Sequence, residues 1–304
     1  MKGTETNVIT AQNLTKVFGS QIAVDDLSFE VEPGRVTGFL GPNGAGKTTT
    51  LRMILGLARP TSGDARVLGC RYPDLEAPSR TVGALLDASQ FHPLRTGRNH
   101  LRVLTAAGGI ADQRVDEALE LVDLSYAADK KVGHYSLGMR QRLGLAAALL
   151  GNPGVLVLDE PANGLDPSGI RWLRGFLRSF AEDGRAVFVS SHLLDEISHI
   201  ADEVVVINKG KLVAHAPVHD LTAQAAARVR VKTPDVQRLF DLLVLEDIQV
   251  QRGTDGELVA AASAERVGII AVRAGIPIFG LRPEDTTLED VFFQLTEAKE
   301  EESR

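Results

Sequence analysis

Apolar positions along this 304-residue chain fall into two regimes. Through about residue 220, short unbroken apolar runs alternate with longer stretches of helical period. Val36-Thr37-Gly38-Phe39-Leu40, Val82-Gly83-Ala84-Leu85-Leu86, Gly154-Val155-Leu156-Val157-Leu158 and Ala186-Val187-Phe188-Val189 each read as strands buried on both faces, the pattern of a parallel sheet. Residues 7–18, Ile22 to Val31, Asp64 to Gly69 and Glu203 to Ile207 are predicted as further strands, with Asn208-Lys209-Gly210-Lys211 a hairpin turn. Between them, Thr50 to Leu55, Ser136 to Leu150, Ser168 to Ala181 and Leu193 to Ala201 are predicted as helices. Arg98 to Tyr126 is also helical in period, with Leu101, Leu104, Val115, Ala118, Leu119 and Val122 on one face. That makes residues from about 88 to 150 a helical subdomain inserted into an α/β domain spanning 1–220.

From 221 to 304 the order changes. A strand at Ala227 to Lys232, a helix at Pro234 to Leu245 with proline at its start, and a hairpin follow in turn. The hairpin joins Ile248–Gln251 to Glu257–Ala261 around Gly253-Thr254-Asp255-Gly256. Helix Ala264 to Ala274 and a strand at Pro277 to Leu281 complete β-α-β-β-α-β, which predicts a small ferredoxin-like α+β accessory or dimerisation domain. Thr286 and Glu289 form a capping box for a last helix, Leu288 to Thr296, before an acidic tail.

Composition narrows the class. Hydrophobic residues make up 44%, ordinary for a globular protein, and the longest low-polarity run, Leu143 to Leu150, is too short to span a bilayer. The first residues carry no apolar stretch of the signal-peptide kind. One cysteine, Cys70, fits a reducing compartment. A net charge of −7 argues against a nucleic-acid partner.

Gly41-Pro42-Asn43-Gly44-Ala45-Gly46-Lys47-Thr48-Thr49 matches G-x-x-x-x-G-K-[ST] between a predicted strand and a predicted helix, the context that makes the motif a phosphate cradle. Backbone N–H groups of the loop and the helix N-terminus converge on an anion. Lys47 reaches the β- and γ-phosphates, and Thr48 is a Mg²⁺ ligand. The apolar run ending in Asp159-Glu160 puts two acids at a strand's C-terminal end, Asp159 for Mg²⁺ and Glu160 to polarise an attacking water. His192 closes another buried strand, in reach of the γ-phosphate. Ser136 reads either as a helix N-cap or as a second anion-binding helix start. Phe18 reads either as an adenine platform or as an ordinary core residue. Asn208-Lys209-Gly210-Lys211 lacks the acid that would read guanine, which disfavours a GTPase.

Taken in order, these motifs resemble the ATP-binding subunit of an ABC transporter over residues 7 to about 220. The resemblance implies a P-loop NTPase of ABC type with ATP and Mg²⁺ as its ligands. Phe18 matches the adenine-stacking loop, Gly41 to Thr49 the Walker A loop, Val155 to Glu160 the Walker B strand with Glu160 as catalytic carboxylate, and His192 the switch histidine. Asn163 to Asp166 matches the loop that crosses the dimer interface. Ser136-Leu137-Gly138 matches the family signature, whose middle glycine and final glutamine are replaced here. By resemblance Ser136 and Gly138 act in trans, on the ATP of a second copy in a head-to-tail dimer. Asp87 falls where most members carry a glutamine that senses Mg²⁺ and the permease, with Gln90 a competing candidate. Both departures are similar to those of daunorubicin-resistance and bacitracin- or lantibiotic-immunity exporters. That implies drug export through a separate transmembrane permease, on the inner face of the membrane. A soluble ABC ATPase acting on ribosomes or DNA is the alternative, though it usually carries two ATP modules or a long coiled coil.

Overall fold

Strand β3 (Val36–Leu40) is buried at every position, and the rest of the larger unit is arranged around it. In the computed structural model, residues 7–87, 91–192, 197–224, 228–253 and 256–284 are described. Six strands form one sheet in the order β5-β6-β7-β3-β8-β9, comprising β5 (Val82–Leu85), β6 (Val155–Asp159), β7 (Ala186–Ser191), β8 (Glu203–Asn208) and β9 (Lys211–Pro217). All neighbours are parallel except β8 and β9, whose turn is Lys209-Gly210. The central strands are apolar on both faces because each is covered twice, the condition under which parallel sheets occur. A second sheet, β2-β1-β4, pairs β1 (Ile9–Phe18) with β2 (Gln21–Val31) and β4 (Ser62–Val67), all antiparallel. Phe29 of the second sheet stacks on Phe39 and Phe188 of the first, with ring centroids 5.6 and 5.4 Å apart. That aromatic contact, worth roughly 1 kcal/mol per pair beyond burial, joins the two sheets.

Helix α1 (Lys47–Ile54) leaves the end of β3, and a short α2 (Pro78–Thr81) precedes β5. The helical subdomain consists of α3 (Gly97–Gly108), α4 (Arg114–Leu121) and α5 (Leu137–Leu149), packed through Leu101, Val115, Ala118, Leu119 and Leu143. Thr96 and Ser136 cap α3 and α5, each accepting a backbone N–H three residues on. Helix α6 (Pro167–Glu182) has proline at its first position and Asp166 as its cap. Of the helix expected at Leu193 to Ala201, residues 193–196 lie outside the described residues.

The chain divides into units Met1–Pro217 and Val218–Arg304. The second begins with α7 (Val218–Gln224), which the apolar pattern did not announce. It continues with β10 (Arg228–Lys232), α8 (Val236–Leu245), β11 (Val250–Arg252), β12 (Leu258–Ala260), α9 (Ala264–Arg273) and β13 (Gly280–Glu284). Its sheet runs β11-β12-β10-β13, antiparallel throughout, which is the ferredoxin-like order for β-α-β-β-α-β. Val229, Val231, Leu258 and Ala260 face Leu239 and Leu243 of α8 and Val267 and Ala271 of α9.

Two of the shifted boundaries have a visible physical reason. Asp235 is the N-cap of α8, so Pro234 lies before the cap and not in the first turn. The last strand starts at Gly280, not Pro277. Pro277 has no N–H to give a ladder, and its carbonyl accepts the Thr233 hydroxyl at 2.8 Å instead. Ala227, Thr254-Asp255, the capping box at Thr286 and Glu289, the helix at 288–296 and the acidic tail lie outside the described residues.

Candidate functional site

Strands β6, β7 and β3 are neighbours and parallel, so their C-terminal ends share one edge of the sheet. Register pairs Leu40 with Ser191 and Asp159 with Ser190. The phosphate loop, the two acids and His192 therefore emerge side by side although over a hundred residues separate them, the place where α/β sheets bind ligands.

The loop from Gly41 to Gly46 requires glycine at both ends. A Cβ on Gly41 would stand 2.4 Å from the Ile207 carbonyl oxygen, and one on Gly46, at φ +107°, would stand 2.5 Å from that of Ala23. Gly46 caps α1 without a side chain, leaving the N–H groups of the first turn free to meet an anion. Ala45 faces inward, its N–H bonded to Pro42 and its carbonyl to the Gly210 N–H, so the loop is pinned from behind. Lys47 is 6% exposed; its Nζ donates to the Gly41 carbonyl at 2.6 Å and lies 3.5 Å from Glu160 Oε1. In front lies an open cleft of about 380 Å³ lined by Phe18, Asn43, Gly44, Lys47, Thr48, Thr49 and Glu160 among others.

Thr48 Oγ1 donates to Asp159 Oδ2 at 2.6 Å. The Ser190 hydroxyl donates to Asp159 Oδ1, and the Glu160 N–H is 3.1 Å from the same hydroxyl oxygen. His192 Nδ1 is 2.8 Å from Glu160 Oε2; a carboxylate only accepts, so that bond places a proton on Nδ1 and leaves Nε2 as the acceptor nitrogen of the neutral ring. Among the described residues no group of three His, Cys, Asp or Glu side chains is placed to cage a metal. A hydroxyl and one carboxylate beside a phosphate cradle are what Mg²⁺ needs, since it takes hard oxygen donors, keeps several waters and borrows phosphate oxygens.

Phe18 is 53% exposed at the end of β1, on the rim of the cleft and under the Lys16 ammonium at 4.9 Å, so it is not a core residue. Ser136 and Gly138 do not line this cleft. They lie at the exposed start of α5, where Leu137 packs onto Gly164: a Cβ there would meet the leucine at 2.1 Å. The signature segment and the Asn163–Asp166 turn thus touch within one chain, a contact the sequence did not suggest. Asp166 accepts from the Gly169 N–H and the Ser168 hydroxyl, which hold its carboxyl below the usual range. Asp87 lines a separate cleft of about 370 Å³ with Arg52, Leu57, Tyr72 and Leu86. Gln90 lies outside the described residues. Ser190 was missed altogether; its only trace is a hydroxyl closing an apolar run.

A phosphate loop, paired acids and a histidine on one parallel edge define a nucleoside-triphosphate site of the P-loop class. A family profile described as "ABC transporter" matches residues 24–163, and a second, described as a domain of unknown function, matches 227–289. The bacitracin transport ATP-binding protein BcrA of Bacillus licheniformis is 36% identical over 95% of this chain and 97% of its own. The lantibiotic transport ATP-binding protein SrtF of Streptococcus pyogenes is 34% identical over 68% of this chain and 89% of its own. Among solved structures, an ATP-binding subunit of an ABC transporter superposes with a TM-score of 0.64 at 27% identity, covering 71% of this chain and 92% of that one. A dimeric ATP-binding cassette bound to ADP and Pi superposes with a TM-score of 0.63 at 23% identity, covering 69% and 98%. The chain belongs to the ATP-binding proteins of ABC transporters and is an ATPase. Among the described residues no helix is long and apolar enough to cross a membrane.

Proposed function

We propose that this chain powers export of an antibiotic or another hydrophobic compound through a separate transmembrane permease, from the cytoplasmic face of the membrane. The observation that carries the catalytic part is Glu160, set between Lys47 at 3.5 Å and His192 at 2.8 Å on the edge shared by β6, β7 and β3. In this reading Lys47 and the loop N–H groups hold the β- and γ-phosphates, and Phe18 stacks on the adenine. Glu160 takes the proton of the attacking water, and His192 orients Glu160 through Nδ1 while offering Nε2 to the γ-phosphate. Thr48 and Asp159 are the residues for Mg²⁺, which when bound offsets charge on the phosphate oxygens.

The exposed, capped start of α5, away from the chain's own cleft, supports a head-to-tail pair in which Ser136 and Gly138 complete the partner copy's site. The dimeric cassette among the structural relatives favours the dimer, and the bacitracin and lantibiotic names among the sequence relatives favour an antibiotic as the cargo. The cleft of Arg52, Leu57, Tyr72 and Asp87, with Leu57 68% exposed, is the surface assigned to the permease. Residues 221–304 carry no cluster of catalytic groups among those described, and a dimer-stabilising or regulatory role is assigned to them. Capture of the tagged chain from detergent-solubilised membranes of its source tests the proposal. A multi-spanning membrane protein in comparable amount is expected; ribosomal or DNA-bound partners without one would overturn it.

A further inference from the structure

We propose that Ser190 is a positioning residue for hydrolysis, one buried hydroxyl that sets the side chain of Asp159 and the backbone of Glu160 together. The inference rests on the reading of those two acids given above. Ser190 stands directly across from Asp159 in the β6–β7 ladder and is fully buried. The preceding residues of β7, Ala186, Val187, Phe188 and Val189, are apolar, and an apolar side chain would be cheaper to bury than a hydroxyl. The hydroxyl both donates and accepts. Its proton goes to Asp159 Oδ1, and its oxygen accepts from the Glu160 N–H at 3.1 Å, a donor it shares with its own backbone carbonyl at 3.2 Å.

Each bond fixes a different degree of freedom. Asp159 Oδ2 is already held by Thr48 at 2.6 Å, so the Ser190 bond to Oδ1 removes the remaining rotation of the carboxylate plane. Glu160 has φ +49°, a left-handed conformation that side chains rarely adopt, and the shared N–H bond holds it there. That conformation places the Glu160 carboxylate between Lys47 and His192. Ser190 and, just past the end of β7, His192 grip the two ends of Glu160, one at its amide and the other at Oε2.

The test uses the full chain with Ser190→Ala, which removes one oxygen, Ser190→Cys, which keeps a weaker donor in a somewhat larger side chain, and Glu160→Gln for reference. Steady-state ATP turnover, calorimetric ADP affinity with Mg²⁺ or with EDTA, and melting temperature are measured for each. For Ser190→Ala we expect kcat to fall by ten- to a hundredfold with KM for ATP within about threefold, since the lost bonds orient reacting groups and not the nucleotide. ADP affinity should weaken by no more than about threefold with Mg²⁺ and stay unchanged in EDTA. Ser190→Cys should fall between Ser190→Ala and the natural protein. A kcat for Ser190→Ala within about twofold of the natural protein, with Glu160→Gln inactive, overturns the proposal and leaves the site reading intact. Parallel losses of kcat, KM and melting temperature in both serine variants also overturn it, as the mark of a packing role. Full turnover by Glu160→Gln would instead remove the site reading on which the proposal stands.

Discussion

Glu160→Gln isolates the proton-accepting role of the carboxylate because it keeps the volume and both heavy-atom positions of the side chain. The backbone bonds from Glu160 N to Ser190 are untouched, so the left-handed turn survives. Lys47 loses a negative neighbour at 3.5 Å but keeps its 2.6 Å bond to the Gly41 carbonyl. The carboxylate competes with phosphate for that ammonium, so ATP affinity is expected to hold or rise. The His192 bond can persist through the amide oxygen. What disappears is a base for the attacking water, an effect typically of 10² to 10⁴ in rate, or about 3–5 kcal/mol of barrier. Single-turnover and steady-state ATPase assays, with nucleotide binding by filter or calorimetry, read both halves of the expectation. With binding intact and hydrolysis stalled, the variant should collect as a closed dimer on size exclusion in ATP. Turnover within tenfold of the natural protein would refute the assignment, since no other carboxylate reaches between Lys47 and His192 among the described residues.

The remaining predictions concern the two ends of the nucleotide and the signature loop. Phe18→Ala should weaken ATP about fivefold, the value of roughly 1 kcal/mol of stacking, and leave inorganic triphosphate affinity unchanged; equal losses for both would put Phe18 outside the adenine site. Because Phe18 is half exposed, its melting temperature should not move. Ser136→Arg should abolish hydrolysis while a single chain still binds nucleotide, and unaltered turnover would remove Ser136 from any partner site. Tyr135, next to it, is buried with its hydroxyl donating to the Ala127 carbonyl at 2.6 Å, and burial pushes its phenol from 10.0 up to about 12. The folded chain keeps that proton after the unfolded chain has lost it. Stability from this group is therefore complete below pH 10 and is lost as pH rises toward 12. Tyr135→Phe should cost on the order of 1 kcal/mol at neutral pH in urea unfolding and flatten the alkaline slope; an unchanged slope would show that Tyr135 does not govern it.

How far the site could be read in the sequence depends on whether a residue's role is local. Gly41 to Thr49 and the Asp159-Glu160 pair carry their chemistry in consecutive residues, and the flanking apolar runs fix which ends of which strands they occupy. The cap at Ser136 is equally local, one side chain and an N–H three residues on. What could not be read is sheet order. Nothing along the chain states that β7 lies between β6 and β3, and without that neighbour relation His192 is a histidine at the end of some strand. Ser190 is the clearest instance: as a letter it is a polar interruption, and only its register opposite Asp159 gives it two carboxylate-bearing partners. The same holds for Leu137. As a substituted signature residue it reads as a loss, whereas in the fold it covers Gly164 of the turn leading into α6. Local chemistry is thus written in spacing, while the groups that hold it in place are set by pairing between strands far apart in the chain. The second kind of residue is where function is most often missed, because its substitution looks like a change in packing until turnover is measured.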